Sequence, residues 1–320
     1  MHDFHLLIHR DRAACFGCND PLTELERIFD SSSLPVGLPS GKHYEAYYKE
    51  SDFITPQSRW AFMELVQVTN LTKLYPDADV GDQPALDSVS FSAKAGEVFG
   101  LLGPNGAGKT TALRILATIL KPSAGSAKVC HFDVVKQSDY VRHSIGYVSN
   151  NTNIYDRMSA WEMVEYFGRL YTIPEELLQQ RISQLFDRLQ MKSFRDLPGA
   201  KMSTGMKQKV SIARALIHDP PVMILDEASL GLDVLAARAL QDIVRELRDE
   251  GKCIIYSSHI MREIERVCDR VAIMWRGKII DSGSLEELAD RHQEKDFEEI
   301  FYQLLLNGDD QSLSREELLS

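Results

Sequence analysis

The nine residues "GPNGAGKTT", Gly103 to Thr111, follow the apolar run "EVFGLLG" and open onto a segment with Leu113, Leu116, Ala117 and Leu120 on one helical face. Strand, glycine-rich turn and helix in that order suit few folds. The spacing fits G-x-x-x-x-G-K-[ST], in which glycines let successive backbone N–H groups converge on phosphate oxygens and the helix start adds its partial positive charge. All nine residues, Gly103, Pro104, Asn105, Gly106, Ala107, Gly108, Lys109, Thr110 and Thr111, are expected to lie against a nucleotide. Lys109 would reach the terminal phosphates, and Thr110 would offer its hydroxyl to Mg²⁺. An ordinary glycine turn is the alternative, and the flanking strand and helix argue against it.

A second element supports the first. In "VMILDE" a buried strand ends in Asp226, placed to hold Mg²⁺ through water, and Glu227, placed to polarise an attacking water. Two acids after an apolar strand are commonly just a solvated strand end; downstream of a phosphate-binding loop they read as the partner element.

The surrounding pattern gives an α/β chain. "EVFGLLG", "VMILDE" and "CIIYSSH" alternate with helices, one of them carrying Leu235, Ile243 and Leu247, which predicts a mostly parallel sheet covered on both faces. From Met63, "MELVQVTNLTKLY" alternates, and "ALDSVSFSAKAGEVFGLLG" reads as two strands joined by a turn at Ala95-Gly96. These add an antiparallel β subdomain to a P-loop NTPase core. About 150–207 reads as a helical insert, with Leu178, Ile182, Leu185, Phe186 and Leu189 on one face. "RVAIMWRGKIIDSG" predicts a hairpin turning at Arg276-Gly277, and Phe297, Ile300, Phe301 and Leu304 mark a packed helix beyond it.

Residues 1–62 lack a sustained period and read as an extension, with Met63 as a candidate physiological start; 63–306 form the main domain and 307–320 a tail. Within the extension, Cys15 and Cys18 form a C-x-x-C pair near His5 and His9. No second pair follows, so two free thiols are expected rather than a zinc site. Cys253 and Cys268 sit in apolar segments, as small hydrophobes do, and disulfides are not expected. The net charge of −11 gives no basic footprint for nucleic acid. No run of about 20 apolar residues is present and the N-terminus lacks a signal peptide's order, so a cytoplasmic location is expected.

Taken in order, "GPNGAGKTT", "MSTGMKQKVSIARAL", "VMILDEASLGLD" and "IIYSSHIMREIERVCDRVAI" resemble the ATP-binding subunit of an ABC transporter from Met63 to the region of Leu306. The resemblance implies an ATPase using ATP and Mg²⁺. It makes Ser203 and Gly205 the signature motif, donated to ATP held by a second copy in a head-to-tail dimer. It likens Tyr75 to the aromatic that stacks on adenine, His259 to the switch histidine at the γ-phosphate, and Asp233 to the aspartate linking the two sites. A packing role for Tyr75, a structural one for His259, and N-caps at Ser203 or Thr204 and at Asp233 are the local alternatives.

Four positions, at three places in the chain, depart from the family pattern. Asn150 stands where a Mg²⁺-ligating Gln is usual and is one methylene shorter. "MSTGM" replaces the commoner "LSGGQ", keeping Ser203 and Gly205 while Thr204 and Met206 differ. Ser229 follows Ala228 where a Pro-Thr pair is frequent. These features are similar to two-component exporters, sodium-extruding ones in particular. That likeness implies a separate integral membrane permease seated near Tyr155 to Tyr171, which holds this subunit peripherally on the inner face of the cell membrane. A drug exporter ATPase, a soluble ABC ATPase serving a macromolecular machine and a non-hydrolysing cassette are the rivals; intact Lys109, Asp226, Glu227 and His259 speak against the last.

Overall fold

At Ala95-Gly96 the chain passes from one sheet to another. The computed structural model describes residues 63–75, 83–149 and 154–308. Strands β1 (Glu64–Lys73), β2 (Leu86–Lys94), β4 (Ala124–Val129) and β5 (Phe132–Asp133) form an antiparallel sheet in the order β2-β1-β4-β5. Strands β3 (Val98–Leu102), β6 (Ile145–Ser149), β7 (Val222–Asp226), β8 (Cys253–Ser258), β9 (Arg270–Trp275) and β10 (Lys278–Gly283) form the second, ordered β10-β9-β3-β8-β7-β6. The two strands expected on either side of the turn therefore do not pair with each other. Every pairing in the second sheet is parallel except the β9–β10 hairpin.

Burial follows from this division. β2 alternates, with Leu86, Val89, Phe91 and Ala93 buried, as a strand with one wet face should. β3, β7 and β8 are buried at every residue. Their side chains feed two cores alternately. Phe99, Leu101, Val222, Ile224, Cys253 and Ile255 join the antiparallel sheet and α1 (Lys109–Leu116), whereas Val98, Leu102, Met223, Leu225, Ile254 and Tyr256 join the other. Continuous apolar strands are thus the expected sequence of a sheet covered on both sides.

Between β6 and β7 the chain runs through α3 (Ala160–Leu170), α4 (Glu175–Arg188) and α5 (Thr204–Leu216); α2 (Ser138–Ser144) precedes β6. Ser159 and Glu162 form a reciprocal capping box that starts α3. Leu178, Ile182, Phe186 and Leu189 are buried among Met163, Val164 and Val210, so this lobe shares a core with the sheet. Beyond β7 come α6 (Val234–Asp249), α7 (Met261–Val267), α8 (Leu285–His292) and α9 (Phe297–Gly308).

Two residues expected on packed helical faces lie elsewhere. α1 stops at Leu116, Thr118 adopts a left-handed φ of 64°, and Leu120 falls beyond the helix end. Leu235 is 81% exposed in the first turn of α6. The buried stripe of that helix is Leu240, Ile243, Val244 and Leu247, and at about 100° per residue Leu235 points well away from it.

Candidate functional site

β3 delivers the chain to the loop at Gly103–Gly108, and α1 begins at Lys109. Gly108 adopts φ +103°, and a Cβ there would come within 2.5 Å of the Ala85 carbonyl oxygen, so only glycine fits. Ala107 N–H donates to the Pro104 carbonyl at 3.2 Å and tightens the loop. The loop curls around Lys109, whose Nζ donates to the carbonyls of Gly103 at 2.6 Å and Pro104 at 3.0 Å. Burial pulls the Lys109 pKa down, opposed by the charges of Glu227 and Asp226.

Parallel pairing aligns the other groups. Asp226 ends β7 opposite Ser257 of β8. Its Oδ1 accepts from Thr110 Oγ1 at 3.0 Å and from Ser257 Oγ at 2.9 Å, while Oδ2 accepts from the Tyr147 hydroxyl at 3.1 Å. Glu227 follows with φ +47°, unusual for a residue bearing a Cβ, and its N–H donates to Ser257 Oγ at 3.0 Å. One serine therefore holds both acids, the first by its hydroxyl hydrogen and the second by its lone pair.

The Glu227 side chain lies between two other groups. Its Oε1 is 3.4 Å from Lys109 Nζ and 3.6 Å from His259 Nδ1. His259 Nδ1 is buried and has no hydrogen-bond partner among the described residues. A carboxylate with a cation on one side and an imidazole on the other is equipped to hold or take a proton beside a phosphate.

Tyr75 is exposed at the edge of this region, its hydroxyl 3.5 Å from Thr111 Oγ1 and its ring under Lys73 Nζ at 5.3 Å. Ser203, Gly205 and Asp233 lie on other elements. Ser203 Oγ caps α5 by accepting from Met206 N–H at 3.3 Å, and a Cβ on Gly205 would meet Ala236 of α6 at 3.4 Å. Asp233 Oδ1 caps α6, accepting from the N–H groups of Leu235 and Ala236 at 2.9 Å. Asn150, and the extension with Cys15 and Cys18, lie outside the described residues.

Thus Lys109, Thr110, Asp226, Glu227 and His259 converge, while Gly205 sits against α6 and Ser203 caps α5. Sequence reasoning did not single out Ser257 or Tyr147. Both reach Asp226 through side chains on neighbouring strands, a relation that strand register creates and motif spacing does not carry.

A sequence model described as "ABC transporter" matches residues 86–230. The ABC transporter ATP-binding protein NatA of Bacillus subtilis is 42% identical over 225 residues, 70% of this chain and 92% of that one. The Nod factor export ATP-binding protein I of Ralstonia nicotianae is 34% identical over 224 residues, 70% of this chain and 68% of that one. A solved structure of the ATP-binding subunit of an ABC transporter superposes with a TM-score of 0.69 at 28% identity, over 75% of this chain and 99% of that one. With a P-loop NTPase fold, these likenesses establish that the chain belongs to the ABC transporter family, as an ATP-binding, ATP-hydrolysing subunit.

Proposed function

We propose that this subunit powers export through a separate integral membrane permease, with Na⁺ as the cargo, and that it works as a head-to-tail pair. The observation that carries the catalytic part is the position of Glu227 Oε1 between Lys109 Nζ and His259 Nδ1. In this reading Lys109 exchanges the Gly103 and Pro104 carbonyls for phosphate oxygens when ATP enters. Glu227 takes the proton of the attacking water as its oxygen bonds to the γ-phosphorus and the bond to ADP breaks. His259 contacts the γ-phosphate, and Tyr75 offers its exposed ring to the adenine.

Mg²⁺ fits the donors present. Thr110 Oγ1 and Asp226 Oδ1 are hard oxygen atoms 3.0 Å apart, and the described residues contain no ready-made cluster of three or more metal-ligating side chains. That composition suits an ion that keeps waters and takes phosphate oxygens from the nucleotide it accompanies. When bound, Mg²⁺ neutralises charge developing on the phosphates. Asn150 remains a further candidate ligand.

The pairing rests on Ser203 and Gly205. Gly205 lies against α6 and Ser203 caps α5, which leaves the N-terminus of α5 available to ATP held by a second copy. Asp233 lies on the connection between the two regions. ATP then shifts an open and closed equilibrium and hydrolysis resets it. Among the described residues no helix is long and apolar enough to cross a membrane, so the translocation path is assigned to the permease, docked near Tyr155 to Tyr171. Na⁺ as cargo is supported only by the likeness to sodium-extruding exporters in the signature and in the loop around Asn150.

Affinity capture from native membranes with and without ATP tests the reading, followed by Na⁺ flux into inverted vesicles. A multi-span membrane partner and ATP-dependent Na⁺ flux are expected. A permease without Na⁺ flux would remove the cargo, and exclusive capture of ribosomal or other soluble machinery would remove the transporter role.

A further inference from the structure

Glu263, on α7, is an acid that the nucleotide chemistry above does not use, yet it is only 7% exposed. Burying a carboxylate is costly unless hydrogen bonds replace its water. Here a single oxygen, Oε2, accepts three hydroxyls: Ser258 Oγ at 2.7 Å, Ser229 Oγ at 2.8 Å and the Tyr256 hydroxyl at 3.2 Å. All three donors are themselves buried. Burial, and then the charge of Glu263, push the Tyr256 phenol pKa up, so it remains a donor.

The chain positions of two donors matter most. Ser229 lies in the turn that begins at Glu227, where Leu230 N–H returns to the Glu227 carbonyl at 3.0 Å and Leu232 N–H to the Ser229 carbonyl at 3.1 Å. Ser258 immediately precedes His259, and its oxygen also accepts from Ile260 N–H at 3.0 Å. One carboxylate oxygen thus ties the segment after Glu227 to the segment before His259. Those two side chains face each other at 3.6 Å.

We propose that Glu263 is a positioning residue for ATP hydrolysis, clamping the Glu227 turn and the His259 strand end through Ser229 and Ser258 so that both side chains meet the γ-phosphate in register. It touches neither nucleotide nor water in the reaction. The clamp also gives a role to Ser229, which with Ala228 stands where a Pro-Thr pair is frequent in the family and whose hydroxyl reaches Glu263. Other functions of a buried acid, such as stabilising the fold alone, would leave the chemical step of the folded protein untouched. The inference rests on the assignment of Glu227 and His259 to the chemistry.

The test uses the full chain, with ATP turnover, nucleotide affinity and melting temperature measured together. Glu263→Met keeps the volume and removes every acceptor; Glu263→Gln keeps an acceptor oxygen. The expected result for folded Glu263→Met is a kcat reduced by roughly ten- to a hundredfold, since small misplacements of reacting groups cost that much. ATP affinity and KM should stay within about twofold of the parent, the pattern of an interaction needed only in the transition state. Glu263→Gln should recover most of the lost kcat. Unchanged kcat in folded Glu263→Met, or a Gln variant no better than Met, overturns the clamp. Should Glu263→Met fail to fold, Ser229→Ala decides: a lowered kcat at unchanged KM supports the clamp and an unchanged kcat overturns it. Glu227→Gln measured alongside separates the two levels. Full turnover there removes the underlying assignment, whereas lost turnover there with intact Glu263 and Ser229 variants removes only the clamp.

Discussion

Thr110 Oγ1 donates to Asp226 Oδ1 at 3.0 Å, joining the first turn of α1 to the end of β7. In the function proposed above, this pair would share a metal carried by ATP. Thr110→Val keeps the shape and deletes the hydroxyl. ATPase activity at limiting Mg²⁺ should fall by about ten- to a hundredfold, the range seen when a metal site loses a supporting group. Raising Mg²⁺ should restore part of it. A Mg²⁺ titration that superimposes on that of the parent would remove Thr110 from the metal site.

Glu227→Gln keeps the size of the side chain and removes its basicity. Turnover should fall by about a hundredfold or more, the usual contribution of a general base. Binding of ATP should persist, because the loop N–H groups, Lys109 and the α1 N-terminus are unchanged. With hydrolysis blocked and ATP present, size-exclusion chromatography should show a dimer that the parent does not accumulate. Unchanged turnover would take Glu227 out of the reaction.

Ser203 separates a capping role from a phosphate role. As a helix cap alone, its hydroxyl contributes about 1 kcal/mol to stability. Ser203→Ala should therefore lower the melting temperature slightly while lowering ATPase activity far more than the fraction unfolded explains. An activity loss that merely tracks unfolding would reduce Ser203 to a cap and weaken the head-to-tail arrangement.

The readable parts of this chain are those whose physics is local. A glycine-rich turn between an apolar strand and a helix, acids closing the next buried strand and a hairpin at Arg276-Gly277 each follow from a few neighbouring residues, and the structure has these elements in that order. What was hidden depends on register. Ser257 acts on Asp226 because β7 and β8 pair Asp226 with Ser257, and Tyr147 reaches the same acid from β6. The assignment of β2 and β3 to different sheets was equally invisible, since a turn at Ala95-Gly96 serves a hairpin or a crossing between sheets alike. Leu235 misled because its apolar character suggested the buried stripe, although its angular position in α6 excludes it.

His218 gives the protein a pH dependence of a definite sign. Its ring is stacked on Tyr171 at 3.8 Å with Nε2 2.9 Å from the Ile145 carbonyl, and burial lowers its pKa to about 3. In the unfolded chain a histidine takes up its proton near pH 6.5. Between about pH 6.5 and 3 the unfolded state therefore binds the extra proton, so stability rises with pH across that window and is lost as pH falls through it. The integrated effect amounts to a few kcal/mol. The contribution is fully present above pH 6.5, where the histidine is neutral in both states. His218→Phe preserves the aromatic stack but cannot titrate. Chemical denaturation from pH 7.5 to 5 should show the parent losing stability more steeply than this variant; parallel pH profiles would show that His218 accepts its proton in the folded state at an ordinary pH.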